Sequence, residues 1–387
     1  MTDVLILNSL VLDLRGPEFG FADDLVGPGG LAKCPAAEMP DYTDARFDGW
    51  IAEGRAAAGG PGNTAPLLAR AGIKVAVGGY LGRGSRGGLD VQGRAFHDIL
   101  TQAGVDMSSC ETHPSLPTAT TFIHDAPGDE RGGIAYFPNA NDDFDFDTFK
   151  PHVKRLRPSI VYYMYSGLSE RGDANGGRDL AAFMAWCRDQ GALTIADSHT
   201  LTADPQRLIR DGSPVAAYRL LAPLLPTLDI FFTSADEAMM IENTLGRPRD
   251  WAAGDPTVHL VEILRHLLDL SGRRRERAVR LFGVTLSTGA LAAYAGPEGT
   301  IDGPRMIDSR FMGGDVVDLV GAGDSFRAGL IAYIARNADA FRAGSLNLDE
   351  AIQMANLMAS SYIRAPLCDR YRNIPSYDAM LALCQSE

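Results

Sequence analysis

The sequence predicts an α/β protein with a central, mostly parallel sheet, helices on both faces and a small β lid. Strand-like apolar runs alternate with amphipathic helical patterns along most of the 387 residues, which is typical of parallel strands joined by crossover helices. Between residues 110 and 140, two β-rich runs separated by a turn interrupt this alternation. We therefore expect a single domain over residues 1–387, with lid elements inserted at about 14–50 and 110–140.

The first half of the chain supplies its elements in order. We predict a strand over Val4–Leu14 with Asp13 near its end, a helix over Thr64–Ala71, a strand over Lys74–Gly79, a helix over Arg94–Ala103, and a lid hairpin over Thr118–Asp125 and Gly132–Phe137 with its turn at 126–131. Residues 16–50 are rich in Gly, Pro and Asp with little period. We interpret them as an irregular excursion or a small lid element.

The second half resumes the alternation. Its predicted strands are Ile160–Tyr165, Ala192–Asp197, Ile230–Thr233, Val279–Leu286 and Leu291–Ala295, and its predicted helices are Leu180–Gln190, His259–Leu270 and residues near 325–335 and 349–364. The helix His259–Leu270 falls in a longer insertion at 242–280. No internal repeat, low-complexity tract or linker divides the chain, which favours one main domain over two equal ones.

Composition excludes several classes of function. The formal charge of −13 argues against a nucleic-acid or anionic-membrane surface, because both need a basic patch. An apolar content of 45% suffices for a substantial core, and no apolar run approaches the length of a membrane span. We expect a cytosolic protein with reduced cysteines. The five cysteines lack the spacing of a zinc site or a disulfide framework: Cys34, Cys110, Cys187, Cys368 and Cys384.

The stretch Asp318–Leu330 reads DLVGAGDSFRAGL and carries the strongest chemical signal. Glycines at 321 and 323 let the backbone turn tightly, and a helix starting near Gly323 directs its partial positive end at whatever lies before the turn. This indicates an anion site with the Asp324 carboxylate at its rim. Such a carboxylate repels phosphate, but it is useful if it takes a proton from a hydroxyl that attacks the phosphate. On these residues alone, a plain turn capped by an aspartate stays open.

Two further glycine runs have different interpretations. In GGPGN at residues 59–63, the glycines allow close approach of a ligand, and Asn63 offers donors and an acceptor suited to a polyol hydroxyl. A turn with Asn63 as helix N-cap is the alternative. The run Gly82–Gly87 spells G-x-G-x-x-G after a strand, but the helix that should begin inside a dinucleotide motif is delayed to about Arg94. We therefore reject a nicotinamide cofactor.

Three carboxylates lie at or beyond predicted strand ends, where ligands collect in parallel α/β sheets: Asp13, Asp197 and Glu237. A carboxylate placed there and near a phosphate site is a suitable partner for Mg²⁺, directly or through water. Each of them, taken alone, is equally consistent with a helix cap or a surface acid. His113 and His199 lack the spacing of a metal site or a catalytic triad, and we interpret them as structural or exposed.

Two separate patterns resemble the ribokinase-like sugar kinases, also called the PfkB carbohydrate kinases. The first comprises residues 59–65, GGPGNTA, followed by Gly72 and Gly82, and it is similar to the N-terminal signature of that family. The second, residues 318–331, is similar to the C-terminal signature except at Leu319. Residues 285–290, TLSTGA, are also similar to the family's T-L-G-x-x-G nucleotide segment. The resemblance implies a ribokinase-like fold.

The resemblance also implies an ATP-dependent kinase and indicates which residues would act. Asp324 would be the base that deprotonates the acceptor hydroxyl. The anion hole that stabilises the transferred phosphoryl group would be formed by Gly321, Ala322 and Gly323. Contacts with sugar hydroxyls would be made by Asp13, Gly59, Gly60 and Asn63. Contacts with ATP would be made by Thr285, Gly289 and Asn356.

Two cation sites accompany the resemblance. The family's N-x-x-E motif organises Mg²⁺ and phosphate, and here it reads Ser234 to Glu237, with Ser in place of Asn. Many members bind a monovalent cation, usually potassium, at positions that match Asp318 and Val320. Residues 365–368, APLC, stand where a glycine-containing cation loop is common, which weakens the expectation of potassium. Ser287 likewise replaces the first glycine of the nucleotide segment.

Three functions follow from these observations. The favoured one is phosphorylation of a hydroxyl on a sugar or sugar-like molecule, and a nucleoside kinase of the same fold is the first alternative. A sugar or nucleotide sensor without catalysis is the second, which Leu319, Ser234 and Ser287 favour and Asp324 opposes. We expect a small-molecule substrate, neither nucleic acid nor membrane as partner, and a homodimer formed through the lid hairpin.

Overall fold

A computed structural model describes residues 2–386, apart from 28, 86, 125–132, 247–250, 252–254, 273–277, 298, 367–368 and 372. The described residues form two sheets, whose strands we number along the chain. The larger has nine strands: β1 (Val4–Leu7), β5 (Val75–Gly82), β6 (Asp106–His113), β9 (Ile160–Ser166), β10 (Leu193–Ser198), β11 (Ile230–Ser234), β12 (Arg280–Leu286), β13 (Gly289–Ala295) and β14 (Ile301–Asp308).

The order in this central sheet is β14-β13-β12-β11-β10-β9-β1-β5-β6. Neighbouring strands pair in parallel, except that β13 is antiparallel to both β12 and β14. Its central strands are buried on both faces, as expected for a sheet covered by helices. The prediction of a mostly parallel sheet is confirmed.

Helices cover both faces of the central sheet. Those described are α1 (Phe21–Leu25), α2 (Asp44–Ala52), α3 (Ala65–Arg70), α4 (Val91–Gln102), α5 (Phe146–Leu156), α6 (Arg178–Asp189), α7 (Pro205–Arg210), α8 (Leu221–Leu224), α9 (Ala235–Leu245), α10 (Pro256–Gly272), α11 (Ala322–Arg336), α12 (Ala338–Ala343), α13 (Leu348–Ile363) and α14 (Tyr377–Gln385). One apolar core lies under α3, α4, α11 and α13, and a second lies under α5, α6, α9 and α10. No described helix is long and apolar enough to cross a membrane.

The smaller sheet is the lid. Its five strands run in the order β3-β8-β7-β2-β4, where β2 is Val11–Gly16, β3 is Leu31–Lys33, β4 is Ala56–Gly59, β7 is Ala119–His124 and β8 is Ile134–Phe137. The predicted hairpin is β7 and β8, which pair antiparallel. Its turn at 126–131 lies outside the described residues.

The predicted strand Val4–Leu14 is wrong as a single element. Asn8 and Ser9 adopt positive φ angles of 78° and 52°, which extended backbone does not allow. The chain therefore leaves the central sheet after β1 and enters the lid as β2. As a consequence, Asp13 lies in the middle of a lid strand rather than at the end of a central one.

Four strands were not predicted, and one of them, β3, lies in the excursion at 16–50. Residues 56–59, which end at the first glycine of the run GGPGN, form β4 and pair antiparallel with β2. Strands β6 and β14 sit at the two edges of the central sheet, and their many polar residues hide the period of two. Edge strands with one solvent-exposed face contain fewer apolar residues than buried strands, so they are harder to predict from the sequence.

The two faces of the lid sheet have different surroundings. The inner face presents Val11, Ile123, Ile134 and Tyr136 towards the central sheet. The outer face packs against residues 17–52, in a cluster that contains Leu12, Leu14, Phe19, Phe47, Trp50, Phe122 and Phe137. Ring contacts within this cluster include Phe19 on Trp50, with centroids 5.1 Å apart. The excursion at 16–50 is therefore an ordered cover for the lid.

Candidate active site

A cleft of about 570 Å³ lies between the lid's inner face and the carboxyl ends of the central strands. Its walls include many predicted site residues: Asp13, Gly60, Asn63, Ser234, Glu237, Thr285, Gly321, Ala322, Gly323 and Asp324. Asn63 and Asp324, which are 261 positions apart in the sequence, thus share one cavity. Gly59, Gly289, Asn356 and Asp318 are not among the residues that line it.

The glycine turn at 321–323 opens helix α11 at the floor of the cleft. Gly321 is the N-cap residue and adopts φ 83°, the left-handed region that favours glycine. A Cβ at this position would lie 2.9 Å from the Tyr362 ring and hydroxyl, so the close packing also requires glycine. The amides of the first turn of α11 and the positive end of its dipole therefore face the cleft. This arrangement suits an anion.

Asp324 is buried in the first turn of α11, with only 6% of its surface exposed. Its Oδ2 accepts hydrogen bonds from Asn63 Nδ2 at 3.2 Å and from the Tyr165 hydroxyl at 2.5 Å. Its Oδ1 accepts from Arg327 at 3.1 Å. No side chain caps the start of α11, so Asp324 is not the helix cap that the sequence left open.

Arg327 joins Asp324 to a second buried carboxylate. One guanidinium nitrogen lies 3.1 Å from Asp324 Oδ1 and 3.2 Å from Asp197 Oδ2, where β10 ends. Burial raises the pKa of Asp197 to about 7, although the Arg327 charge opposes the rise. Burial alone would lower the pKa of Arg327, but Asp197 and Asp324 hold it above its usual value. The group carries surplus negative charge only when both carboxylates are ionised, and the raised pKa of Asp197 limits that surplus near neutral pH.

Three residues at the site were missed from the sequence. Tyr165 is the penultimate residue of β9, has a positive φ of 57° and donates a hydrogen bond to Asp324, but nothing in its local pattern separates it from a core tyrosine. His199 was expected to be structural or exposed, yet it lines the cleft with its ring 4.7 Å from that of Tyr165. Arg327 carried a readable signal, since it is a charge in the otherwise apolar helical run from Phe326 to Leu330.

The run GGPGN at 59–63 connects the lid to this group. Asn63 donates to Asp324, and its Oδ1 accepts from the Tyr362 hydroxyl at 2.8 Å. The N-cap of α3 is Thr64, without a side-chain cap, so the alternative of Asn63 as a cap is wrong. A Cβ at residue 59 would lie 2.4 Å from the Asp13 carboxylate, so glycine there makes room for that acid.

Asp13 projects from the lid into the cleft. It lies on the inner face of β2, two residues before Arg15, and shares the cavity wall with Thr121 of the neighbouring strand. Desolvation raises the pKa of the Asp13 carboxyl to about 6, while the Arg15 charge acts in the opposite direction. The lid thus contributes a carboxylate that can accept hydrogen bonds from a hydroxylated ligand.

Ser234 and Glu237 form a capping box at the start of α9. Ser234 Oγ accepts from the Glu237 amide at 3.2 Å, and Glu237 Oε2 accepts from the Ser234 amide at 2.9 Å. Thr233 also donates to Glu237, at 2.9 Å. The described hydrogen bonds of this carboxylate all come from neutral groups, and both Asp236 and Glu237 line the cleft. Their oxygens are the ligand type that Mg²⁺ prefers, so the donor set fits that ion.

The predicted nucleotide residues are only partly together. Thr285 and Leu286 are the last two residues of β12, and together with Ser287 of the two-residue link to β13 they line the cleft. Gly289 opens β13, where a Cβ would lie 2.3 Å from the Ile307 carbonyl oxygen. Asn356 is buried in α13, and its amide nitrogen has no hydrogen-bond partner among the described residues. That donor is available to a ligand, although Asn356 is not part of the cleft wall.

Asp318 and Val320 are engaged by arginines. Arg370 donates one nitrogen to the Val320 carbonyl at 2.8 Å and another to Asp318 Oδ2. The same carboxylate oxygen lies 2.9 Å from Arg15 Nη2 of the lid. Burial opposes ionisation of Asp318, but the charges of Arg15 and Arg370 hold its pKa below the usual value.

Comparison with known proteins identifies the family. The model of the pfkB family carbohydrate kinases matches residues 52–266 and 289–371, more than half of the chain. The chain belongs to the pfkB family of carbohydrate kinases. The resemblance read from the two glycine signatures is therefore confirmed, and so is the prediction of a carbohydrate kinase. No curated protein matches this pfkB-family chain with significance.

Solved structures agree on the fold of this pfkB-family kinase. An adenosine kinase of Anopheles gambiae is 17% identical with a TM-score of 0.68, and the match covers 97% of this chain and all of the other. A fructokinase of Xylella fastidiosa is also 17% identical, with a TM-score of 0.64 over all of this chain and 99% of the other. A fructokinase double mutant of Vibrio cholerae, solved with fructose, ADP and potassium bound, is 17% identical with a TM-score of 0.62. The match covers 100% of this chain and 99% of the other. The ribokinase-like fold is confirmed.

Proposed function

We propose that this kinase transfers the terminal phosphoryl group of ATP to a hydroxyl of a sugar or sugar-bearing small molecule. The observation that supports this most is the position of Asp324. Its buried carboxylate lies one residue after the glycine turn and lines the same cleft as the turn. A base beside an anion site is what removal of a hydroxyl proton during phosphoryl transfer requires.

In this proposal, each group in the cleft has one task. Asp324 takes the hydroxyl proton, and the amides at Gly321, Ala322 and Gly323 stabilise charge on the transferred group. Asn63, Tyr165 and Arg327 hold the base in place through the three hydrogen bonds it accepts. Asp13, with Gly59 giving it room, accepts hydrogen bonds from the substrate, and Gly60 contacts the substrate beside it.

ATP would be held by Thr285, Gly289 and Asn356, and Mg²⁺ by Glu237, with Ser234 fixing that carboxylate through the capping box. Bound Mg²⁺ supplies charge neutralisation on the phosphates. The protein's own part is to orient the two substrates and exclude water, which the apolar inner face of the lid supports. The family resemblance and the unused donor of Asn356 favour these assignments.

A nucleoside is the second candidate for the acceptor. The cleft carries an apolar and aromatic wall, formed by Val11, Leu31, Ile123, Ile134, Tyr136 and Leu168. A flat base buries apolar surface against such a wall, whereas a free polyol would leave it without a partner. This wall, rather than the similarity to adenosine kinases, favours a nucleoside.

A screen of sugars and nucleosides for ADP release tests both candidates. We expect turnover with at least one member and none with the Asp324→Asn variant, which also controls for contaminating kinases. Turnover confined to nucleosides would replace the first candidate by the second. Ligand-dependent thermal stabilisation without any ADP release would instead support the sensor alternative and contradict the proposal.

The homodimer through the lid stays a prediction. The hairpin's outer face is covered by the chain's own residues 17–52, so pairing would use the lid edges at β3 and β4. Light scattering during gel filtration would distinguish a dimer from a monomer. A dimer that survives shortening of the loops around β3 would contradict pairing at that edge.

A further inference from the structure

We propose that Arg370 takes the place of the monovalent cation, so that this kinase works without potassium. The family resemblance assigns such a cation to Asp318 and Val320, and the related Vibrio cholerae fructokinase was solved with potassium bound. In this chain, the guanidinium of Arg370 contacts both positions at once, the Val320 carbonyl oxygen at 2.8 Å and Asp318 Oδ2. A fixed positive charge thus lies where a free one is expected.

The oxygens that a cation would need are already used. Asp318 Oδ1 accepts from the Val320 amide at 3.0 Å, and Oδ2 receives both Arg15 and Arg370. A potassium ion would have to displace a guanidinium from a carboxylate, and these side chains are only 10–20% exposed. The donor set therefore does not fit a monovalent metal ion.

Arg370 is held from a second side by an aromatic ring. Its guanidinium carbon lies 4.8 Å from the centroid of the Tyr362 ring, a cation–π distance. This contact replaces part of the hydration that the charge loses on burial. Unlike potassium, whose occupancy depends on its concentration, a side chain stays in place at any salt composition. The positive charge beside the turn is therefore permanent.

The position of Arg370 ties it to the phosphate turn by two routes. It fixes the Val320 carbonyl, which shares a peptide group with the Gly321 amide, and so restrains the direction of the amides at the turn. It also backs Tyr362, whose hydroxyl donates to Asn63, which in turn donates to Asp324. Arg370 is therefore a positioning residue for both the anion hole and the base.

The decisive test uses rubidium, which replaces potassium and scatters anomalously. Crystals of the whole chain, grown or soaked with RbCl, should give no anomalous peak between Asp318 and Val320. The Arg370→Ala variant should gain one there. A peak at that position in the unaltered protein overturns the proposal. This measurement needs no substrate, so it stands even if the proposed reaction is wrong.

A melting experiment gives the same answer in solution. At constant ionic strength, exchanging tetramethylammonium chloride for KCl should leave the melting temperature of the unaltered protein unchanged. The same exchange should raise that of Arg370→Ala by several degrees. If Arg370→Ala does not fold, Arg370→Lys serves instead, because an ammonium can reach only one of the two oxygens and leaves the other to potassium. A potassium-specific rise in the unaltered protein contradicts the proposal.

A third experiment measures activity, so it rests on the proposed kinase reaction, and it tests whether added cations rescue the Arg370 variant. The unaltered enzyme should have equal kcat in potassium and tetramethylammonium. Arg370→Ala should lose at least tenfold in kcat and recover part of it with millimolar guanidinium or potassium. The matched control is Arg364→Ala, since Arg364 also binds backbone carbonyls of the preceding loop, at Met312 and Gly314, but does not touch the turn. Equal rescue of both variants, or of neither, overturns the proposal.

Discussion

Two acidic groups flank the phosphate turn, and they differ in the partners that meet them. Glu237 accepts from backbone and hydroxyl groups, whereas Asp318 faces two guanidinium groups. The family resemblance predicts both as cation sites. The contacts keep that prediction open for the first and oppose it for the second. A carboxylate with neutral neighbours keeps its negative charge available to a metal ion. The charge of a carboxylate that is paired with two arginines is already neutralised.

The strongest test of the comparison removes the base between the two sites. Asp324→Asn keeps the shape of the side chain and loses the proton acceptor, so turnover should fall by about 10³-fold or more, with ATP binding retained. Steady-state rates and calorimetric ATP titration measure the two quantities. Normal turnover in this variant would remove Asp324 from its proposed role and leave both flanking sites without a reaction to serve.

Next in size is the charge of Glu237. Glu237→Gln can still accept the capping hydrogen bond, so the fold should be kept, but the Mg²⁺ concentration needed for half-maximal rate should rise by about 10–100-fold. Rates across a Mg²⁺ series measure this. Asp236→Asn is the control at the neighbouring acid of the same wall, and a larger effect there would assign the metal to Asp236 instead.

The corresponding change at the other acid should act on stability. Asp318→Asn leaves Arg15 and Arg370 without their shared partner, which should cost about 2 kcal/mol in the free energy of unfolding. Urea denaturation measures it, with the exposed Asp315→Asn as control. Potassium should not restore the loss. If Asp318→Asn shifted the Mg²⁺ series and Glu237→Gln lowered stability, the comparison would be reversed.

The smallest expected effect is a pH dependence that comes from the lid. The pKa of Asp13 is raised to about 6. Because a folded carboxyl with a raised pKa binds its proton more tightly than the unfolded one, its contribution to stability is present at low pH and is lost as pH rises through about 6. The ionised carboxylate is the form that best accepts hydrogen bonds from substrate hydroxyls, so kcat/KM should rise severalfold over the same pH range. Asp13→Asn should flatten both profiles, and unchanged profiles would exclude Asp13.

The sequence was most informative where chemistry depends on local pattern. The turn at 321–323 and the run at 59–63 are readable because glycine spacing, a following helix and a family signature coincide. The split of Val4–Leu14 was not readable, since Asn8 and Ser9 look unremarkable within an apolar run. Their left-handed backbone lies at the point where the chain passes from the central sheet to the lid.

Contacts across long stretches of chain were the hardest to foresee. Tyr165 and Arg370 reach the turn from β9 and from beyond α13, and each looks like an ordinary core or surface residue in its own segment. The ion pair between Arg370 and Asp318 exists only in the folded chain, and neither local sequence indicates it. The departure at 365–368 did weaken the expectation of potassium, but it could not indicate what replaces the ion.

The aromatic cover on the lid has a mechanical consequence. The outer face of the lid sheet is closely packed against residues 17–52, while its inner face lines the cleft, so the sheet and its cover would move as one unit. Opening this lid would therefore be a rotation about its few connections to the central sheet, among them the kink at Asn8 and Ser9. An opening rotation would pull Arg15 away from Asp318, because Arg15 belongs to the lid sheet whereas Asp318 lies just before the glycine turn at 321–323. Opening the lid would thus remove one positive charge from beside Asp318, and closing it would restore that charge.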